Sequence, residues 1–183
     1  MSSHVRAKTL ILLLTGVSGF GQLAAQSNAS DSTGSLRQRY ESAIVVMRDS
    51  VANVSVAASR FRRDLGSAAR ETVLSRAGSL RLRCEGAMAA LERRRSVFDP
   101  REVRLNVRLR MDTLTRAIQR LETDLQRECI EGLPAEGPRS HADSLRAWGP
   151  YQIRQIEDAI RRYIGASQSF AHAADLEISP RVH

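Results

Sequence analysis

The sequence predicts an all-α protein: an up-down antiparallel bundle of about four helices, preceded by a signal peptide. Two observations lead to this prediction. Over most of the chain, apolar residues recur at steps of three and four, which is the spacing of one face of an α-helix. Glycine and proline cluster between these stretches, and the connections are short, so neighbouring helices are expected to run antiparallel. A hairpin of long helices is the alternative architecture, although the charges are too irregular to require a coiled coil.

The first 25 residues have the three parts of a cleavable signal peptide. Arg6 and Lys8 supply positive charge, residues 9–17 form a short apolar run, and small residues lead to Ala25. The apolar run is shorter than the roughly 20 residues that a membrane-spanning helix needs, so an uncleaved anchor is the less favoured alternative. We expect cleavage after Ala25 and a mature protein that is periplasmic or secreted and has no transmembrane segment.

Residues 26–34 are small and polar, a composition that predicts a disordered lead-in. The bundle domain is expected over residues 35–175, with residues 176–183 as a tail. Its first helical stripe ends at Leu65, where Gly66 suits the position just after a helix. The second helix is expected to begin at a Ser67 cap, after which the apolar spacing continues for some 25 residues.

The third helix has the sharpest predicted start. Asp99 suits its N-cap, Pro100 its first position and Glu102 the third position of a capping box. The fourth helix is expected from Ser140 to about Ile164, interrupted or kinked by the Gly149-Pro150 pair.

The start of the third helix is apolar on two sides. Residues 103–111 alternate between apolar and polar, which is also typical of a strand, but the stripe continues at helical spacing and favours a helix. At 100° per residue, Leu105 and Leu109 then lie opposite the core-facing residues. Either a terminal segment or the last helix covers these leucines, or they contact a partner or a second copy of the chain.

Two cysteines, Cys84 and Cys129, are the only ones in the chain. Exported proteins usually join such a pair. In a simple hairpin that turns near Asp99, however, the two residues lie at heights about 22 Å apart along the helix axes. A disulfide requires Cα atoms within about 7 Å. Three outcomes stay open: free thiols, a bond between chains, or an intramolecular bond that requires other helix boundaries or a broken second helix.

Basic residues outnumber acidic residues by 28 to 20, and arginine alone supplies the positive charge once residues 1–25 are removed. A basic exported protein attracts anionic lipids and phosphorylated envelope polymers. We predict an anion-binding corner in the densest basic stretch, at Arg93, Arg94, Arg95 and Arg101. The alternative is that arginines simply complement the dipole at a helix C-terminus. Aromatic residues make up only 4% of the chain, which argues against specific nucleic-acid binding.

The sequence contains no motif for haem attachment, zinc or di-iron binding, or a nucleophilic serine. It therefore predicts an exported, non-enzymatic helical binding or scaffolding protein of the bacterial cell envelope, without a cofactor. Its expected partner is another envelope protein, an anionic polymer or lipid, or a second copy of itself. Two alternative functions remain: a periplasmic chaperone or holdase, and a carrier of a small ligand or haem inside the bundle.

Overall fold

The computed structural model describes residues 20–133 and 140–178. Every regular element in these ranges is helical, which confirms the predicted all-α class. The elements in chain order are α1 (Phe20–Leu65), α2 (Arg70–Arg95), a 3-10 turn (Pro100–Glu102), α3 (Leu105–Asp124) with a π-helical extension (Leu125–Glu131), and α4 (Ser140–Ala173). None of the helices in the described ranges combines the length and apolar character needed to cross a bilayer.

The chain divides into two units, Met1–Ser35 and Leu36–His183, and the bundle is the second. Helix α1 begins at Phe20, so the backbone is helical over residues 26–34, where the sequence predicts disorder. Small polar residues are only mildly unfavourable in a helix, and extending a helix costs far less than starting one. The predicted signal peptide falls mostly on residues 1–19, and the predicted tail partly on 179–183; both stretches lie outside the described residues.

Helices α1 and α4 run antiparallel. At one end of the bundle, the rings of Tyr40 and Phe170 pack edge to face with centroids 5.7 Å apart. At the other end, Arg146 of α4 donates hydrogen bonds to the carbonyl oxygens of Leu65 at 3.2 Å and Ala68 at 2.8 Å. Arg146 thereby satisfies one acceptor at the end of α1 and one in the turn that follows it.

Apolar side chains from all four helices close into one core. They come from the predicted stripes, because each helix can bury its apolar face only against the others. The largest fully buried side chains are Phe61, Tyr163, Phe170, Ile44, Met47, Leu80, Leu91, Met111, Leu114, Ile118, Leu121 and Leu125.

Two predicted helix starts need correction. Helix α2 begins at Arg70 after Ala69, without a side-chain cap, so Ser67 does not cap it. Asp99 does act as a cap, accepting a hydrogen bond from the backbone N–H of Arg101 at 2.9 Å. It caps the 3-10 turn, however, and α3 starts only at Leu105.

Helix α4 is continuous from Ser140 to Ala173 and therefore passes through Gly149-Pro150 and beyond the predicted end at Ile164. Gly149 explains part of this, because a Cβ atom there would lie only 3.1 Å from a methyl carbon of Leu65. The glycine lets α4 approach the end of α1 closely, and that packing offsets the backbone hydrogen bond that Pro150 cannot make.

The connection between α2 and α3 is not a tight turn. Arg95, the last residue of α2, forms an ion pair with Glu122 at 3.1 Å, and Glu122 lies near the far end of α3. The 17 residues from Leu105 to Glu122 span about 25 Å of helix. Residues 96–104, which include the 3-10 turn, therefore carry the chain along the bundle before α3 turns back.

This connection resolves the question of the two cysteines. Cys84 and Cys129 form an intramolecular disulfide, with Cα atoms 6.4 Å apart and both side chains fully buried. The predicted offset of about 22 Å assumed a turn at Asp99. Because α3 begins far beyond the end of α2, the π-helical extension is the part of the chain that packs beside α2, and it brings Cys129 level with Cys84.

Candidate functional site

The outer face of α3 carries two neighbouring exposed leucines, and one of them is the most exposed large apolar side chain of the described bundle. Leu105 is 79% exposed and Leu109 is 65% exposed, while Val107 and Met111 on the opposite side are buried. The helix is therefore apolar on two sides, as its sequence predicts. No described segment covers the two leucines, so α4 does not bury them, and both ends of the chain lie outside the described residues.

Three arginines lie close in sequence to the two leucines. Arg101, Arg104 and Arg108 are all exposed, and Arg101 is 93% exposed along its side chain. Arg108 donates to the carbonyl oxygen of Pro100 at 3.0 Å, which holds its guanidinium beside the 3-10 turn. The result is an apolar pair within a basic rim, which we call the α3 outer face and define by Leu105, Leu109, Arg101, Arg104 and Arg108.

Three acidic residues lie near this face. Asp99 is 3.6 Å from Arg101, and Glu102 is 3.8 Å from Arg39 of α1, so both carboxylates already face a guanidinium. Asp112 lies one turn further along α3 and is exposed on the same side as the leucines. With Arg39 included, four basic residues face these three acids, and after the Asp99–Arg101 and Glu102–Arg39 pairs the remaining charges are Arg104, Arg108 and Asp112, a net charge of +1.

The four arginines predicted as one anion-binding corner do not meet in one place. Arg95 lies beside Glu122, about 25 Å along the bundle from the start of α3, whereas Arg101 lies on the 3-10 turn and pairs with Asp99. Arg93 and Arg94 are exposed at the end of α2. Two of the four guanidinium groups therefore face carboxylates of the protein itself.

Glu122 is one of the few charged residues buried in the described bundle. One carboxylate oxygen pairs with Arg95, and the other, Oε1, has no hydrogen-bond partner among the described residues. Burial raises the pKa of Glu122, and the positive charge of Arg95 opposes this shift only in part. Arg95 therefore has a structural role in neutralising a buried carboxylate.

A second group of arginines was not singled out from the sequence. Arg60 and Arg63 of α1 and Arg76 of α2 line a surface pocket of about 340 Å³ around Asp64. The sequence signal was available, since residues 60–64 read Arg-Phe-Arg-Arg-Asp at the end of a helical stripe. Arg76 is twelve residues further along the chain, and only the turn from α1 to α2 places it there.

A groove of about 420 Å³ runs between α1 and α4. Its apolar lining comes mainly from α1 and α4, and one wall is the segment after α4, where Asp175 adopts a left-handed backbone conformation with φ of 51°. The backbone N–H of Glu177 donates to the carboxylate of Glu41 at 3.0 Å and ties this segment to α1. The apolar side chains that line the groove are Val45, Ala52, Val56, Ile160, Ile164 and Ile178.

In the described ranges, no three histidine, cysteine or acidic side chains are grouped so that they could hold a metal ion. Comparisons of the chain with protein-family models, with curated proteins and with solved structures each found no match. Function is therefore inferred from the chemistry of these surfaces alone.

Proposed function

We propose that this protein is an exported, non-enzymatic helical binding protein of the bacterial cell envelope, and that it docks on anionic phospholipid surfaces through the α3 outer face. One observation carries the proposal: Leu105 and Leu109 are exposed one turn apart on a helix whose start also carries the exposed residues Arg101, Arg104 and Arg108. Two neighbouring exposed leucines form an apolar patch, and an interface with lipid uses both the leucines and the arginines.

The chemistry of the face matches a lipid headgroup region. Apolar side chains of an interfacial helix enter the boundary between headgroups and acyl chains, while basic side chains bind lipid phosphates. Each arginine near an anionic surface contributes about 1 kcal/mol. Arg104 and Arg108 each directly precede a leucine of the pair in sequence, so both arginines are near enough to reach lipid phosphates when the leucines insert. Asp112 is the one acidic residue that opposes this contact.

The test is co-sedimentation of the mature protein with vesicles of phosphatidylglycerol or of phosphatidylcholine alone. We expect binding to the anionic vesicles only, weakened by salt because exposed charges are screened. Leu109→Glu should lower vesicle affinity about tenfold, and the Leu105→Glu/Leu109→Glu double variant should abolish binding, since each change removes an inserting side chain and adds a repelled charge.

Leu82 provides a matched control, because it is also 65% exposed but lies on α2. Leu82→Glu should leave vesicle binding unchanged. Equal losses in Leu82→Glu and Leu109→Glu would contradict the proposal, because net charge alone would then explain them. A wild-type protein that ignores vesicles but shows a dimer mass in light scattering, lost in the double variant, would make the face a contact between copies instead.

A further inference from the structure

The pocket between the end of α1 and the start of α2 contains more positive charge than the protein neutralises. Arg76 donates from Nε to a carboxylate oxygen of Asp64 at 2.7 Å, which joins the two helices. Arg60 and Arg63 line the same pocket and are exposed. Among the residues that the structure describes, no carboxylate lies within ion-pair distance of either, so the pocket has a net charge of about +2.

Neighbouring arginines show that this arrangement is not simply the general basicity of the chain. Arg62 lies between Arg60 and Arg63 in sequence but points toward α4, where it pairs with Glu157. The dipole of α1 favours arginines in its last turn, which accounts for Arg62 and Arg63. It does not account for Arg60, which precedes that turn, or for Arg76, which belongs to another helix.

We propose that Arg60, Arg63 and Arg76 form a binding site for a phosphate monoester, with Asp64 holding Arg76 in place. A phosphate monoester has a charge of about −1.5 to −2 at neutral pH, which matches the two guanidinium groups that lack an internal partner. Guanidinium groups bind phosphate oxygens through paired, charge-assisted hydrogen bonds, and a concave pocket lets groups from two helices converge on one anion.

This site is separate from the α3 outer face and does not depend on the proposed lipid docking. Arg39 of α1 pairs with Glu102 just before α3 begins, whereas Arg63 is 24 residues further along α1. The helical rise makes these positions about 36 Å apart, near opposite ends of the bundle. One ligand the size of a lipid headgroup cannot contact both sites.

The experiment is isothermal titration calorimetry of the mature protein with glycerol 3-phosphate, with inorganic phosphate and glycerol alone as comparisons. We expect saturable binding of one glycerol 3-phosphate and of inorganic phosphate, and none of glycerol. Arg60→Gln/Arg63→Gln should weaken binding at least about tenfold, because it removes the two unpaired guanidinium groups and their charge-assisted hydrogen bonds.

The matched control is Arg93→Gln/Arg94→Gln, which removes the same charge from two exposed arginines at the end of α2. Its affinity for glycerol 3-phosphate should equal that of the wild type. Equal weakening in both pairs would overturn the proposal, as would the absence of saturable binding. If the first pair lowers the melting temperature, Arg60→Gln alone replaces it, and an unchanged affinity in that folded variant also overturns the site.

The bound phosphate could belong to a soluble monoester or to a lipid headgroup. The Leu105→Glu/Leu109→Glu variant, which lacks the proposed lipid contact, distinguishes these two sources. Glycerol 3-phosphate binding should persist there, because the pocket lies at the other end of the bundle. Dimethyl phosphate, a singly charged diester like a phospholipid headgroup, should bind more weakly than the monoester. Equal affinity for the diester would contradict the preference for a monoester and would assign the pocket to lipid headgroups.

Discussion

Tyr163 buries its hydroxyl group in the bundle core without a hydrogen-bond partner among the described residues. A buried polar group without a partner costs about 1–3 kcal/mol of stability. We therefore expect Tyr163→Phe to raise the free energy of unfolding by about 1 kcal/mol, since phenylalanine fills nearly the same volume without the hydroxyl. Urea unfolding at pH 8 measures the difference. A less stable variant would show that the hydroxyl has a partner.

The same residue gives the bundle a specific weakness at alkaline pH. Burial raises the pKa of Tyr163 well above its ordinary value, and the positive charge of Arg48 opposes this only weakly. The unfolded chain loses the tyrosine proton near pH 10, while the folded chain keeps it. Ionisation thus favours the unfolded state, and stability falls as the pH rises above about 10. Tyr163→Phe should lose less stability than the wild type between pH 8 and pH 10.5.

At the scale of helices, the disulfide is the covalent link between α2 and the π-helical extension of α3. Cys84 and Cys129 are 45 residues apart in sequence, so the bond restricts a long loop of the unfolded chain. Its removal should lower the free energy of unfolding by about 2–4 kcal/mol. Urea unfolding with and without a reductant measures this loss. Thiols that titrate in the native, unreduced protein would contradict the bond.

The sequence predicts the helices well because apolar spacing reports directly on which face of each helix is buried. Tyr40, Met47 and Phe61 lie on the predicted first stripe, and all three are in the core. The register between helices is a different matter. It depends on the path of residues 96–104, which connect α2 to α3, and this path decides whether Cys84 reaches Cys129.

The candidate surfaces also differ in how well the sequence predicts them, because some lie on one helix and others join two elements. Leu105 and Leu109 could be identified because both lie on one helix, where angular position follows from sequence number. The anion-binding corner was predicted from adjacency along the chain, and the structure separates Arg95 from Arg101. The α1–α2 pocket joins Arg63 to Arg76 across a turn, and sequence alone does not specify such a convergence.

At the scale of the whole molecule, the two ends of the bundle compete as membrane contacts. The α3 outer face lies at one end. At the other, Trp148 is 69% exposed and Tyr151 about half exposed, beside Gly149 where α4 packs on the end of α1. Tryptophan and tyrosine favour the membrane interface, so this end is the natural rival. The α3 outer face is the better candidate because its arginines directly flank the residues that would insert.

Tryptophan fluorescence can show which end of the bundle contacts the membrane, because Trp148 is the only tryptophan in the chain. If α3 docks on the membrane, Trp148 stays in water at the far end, and phosphatidylglycerol vesicles should change neither its emission maximum nor its quenching by iodide. In a Trp148→Phe/Leu109→Trp variant, the new tryptophan should shift to shorter wavelength and lose iodide quenching as it enters the headgroup region. A blue shift of Trp148 itself would contradict this orientation. It would assign lipid docking to the end of the bundle that contains Trp148, because an indole leaves water only where the protein contacts lipid.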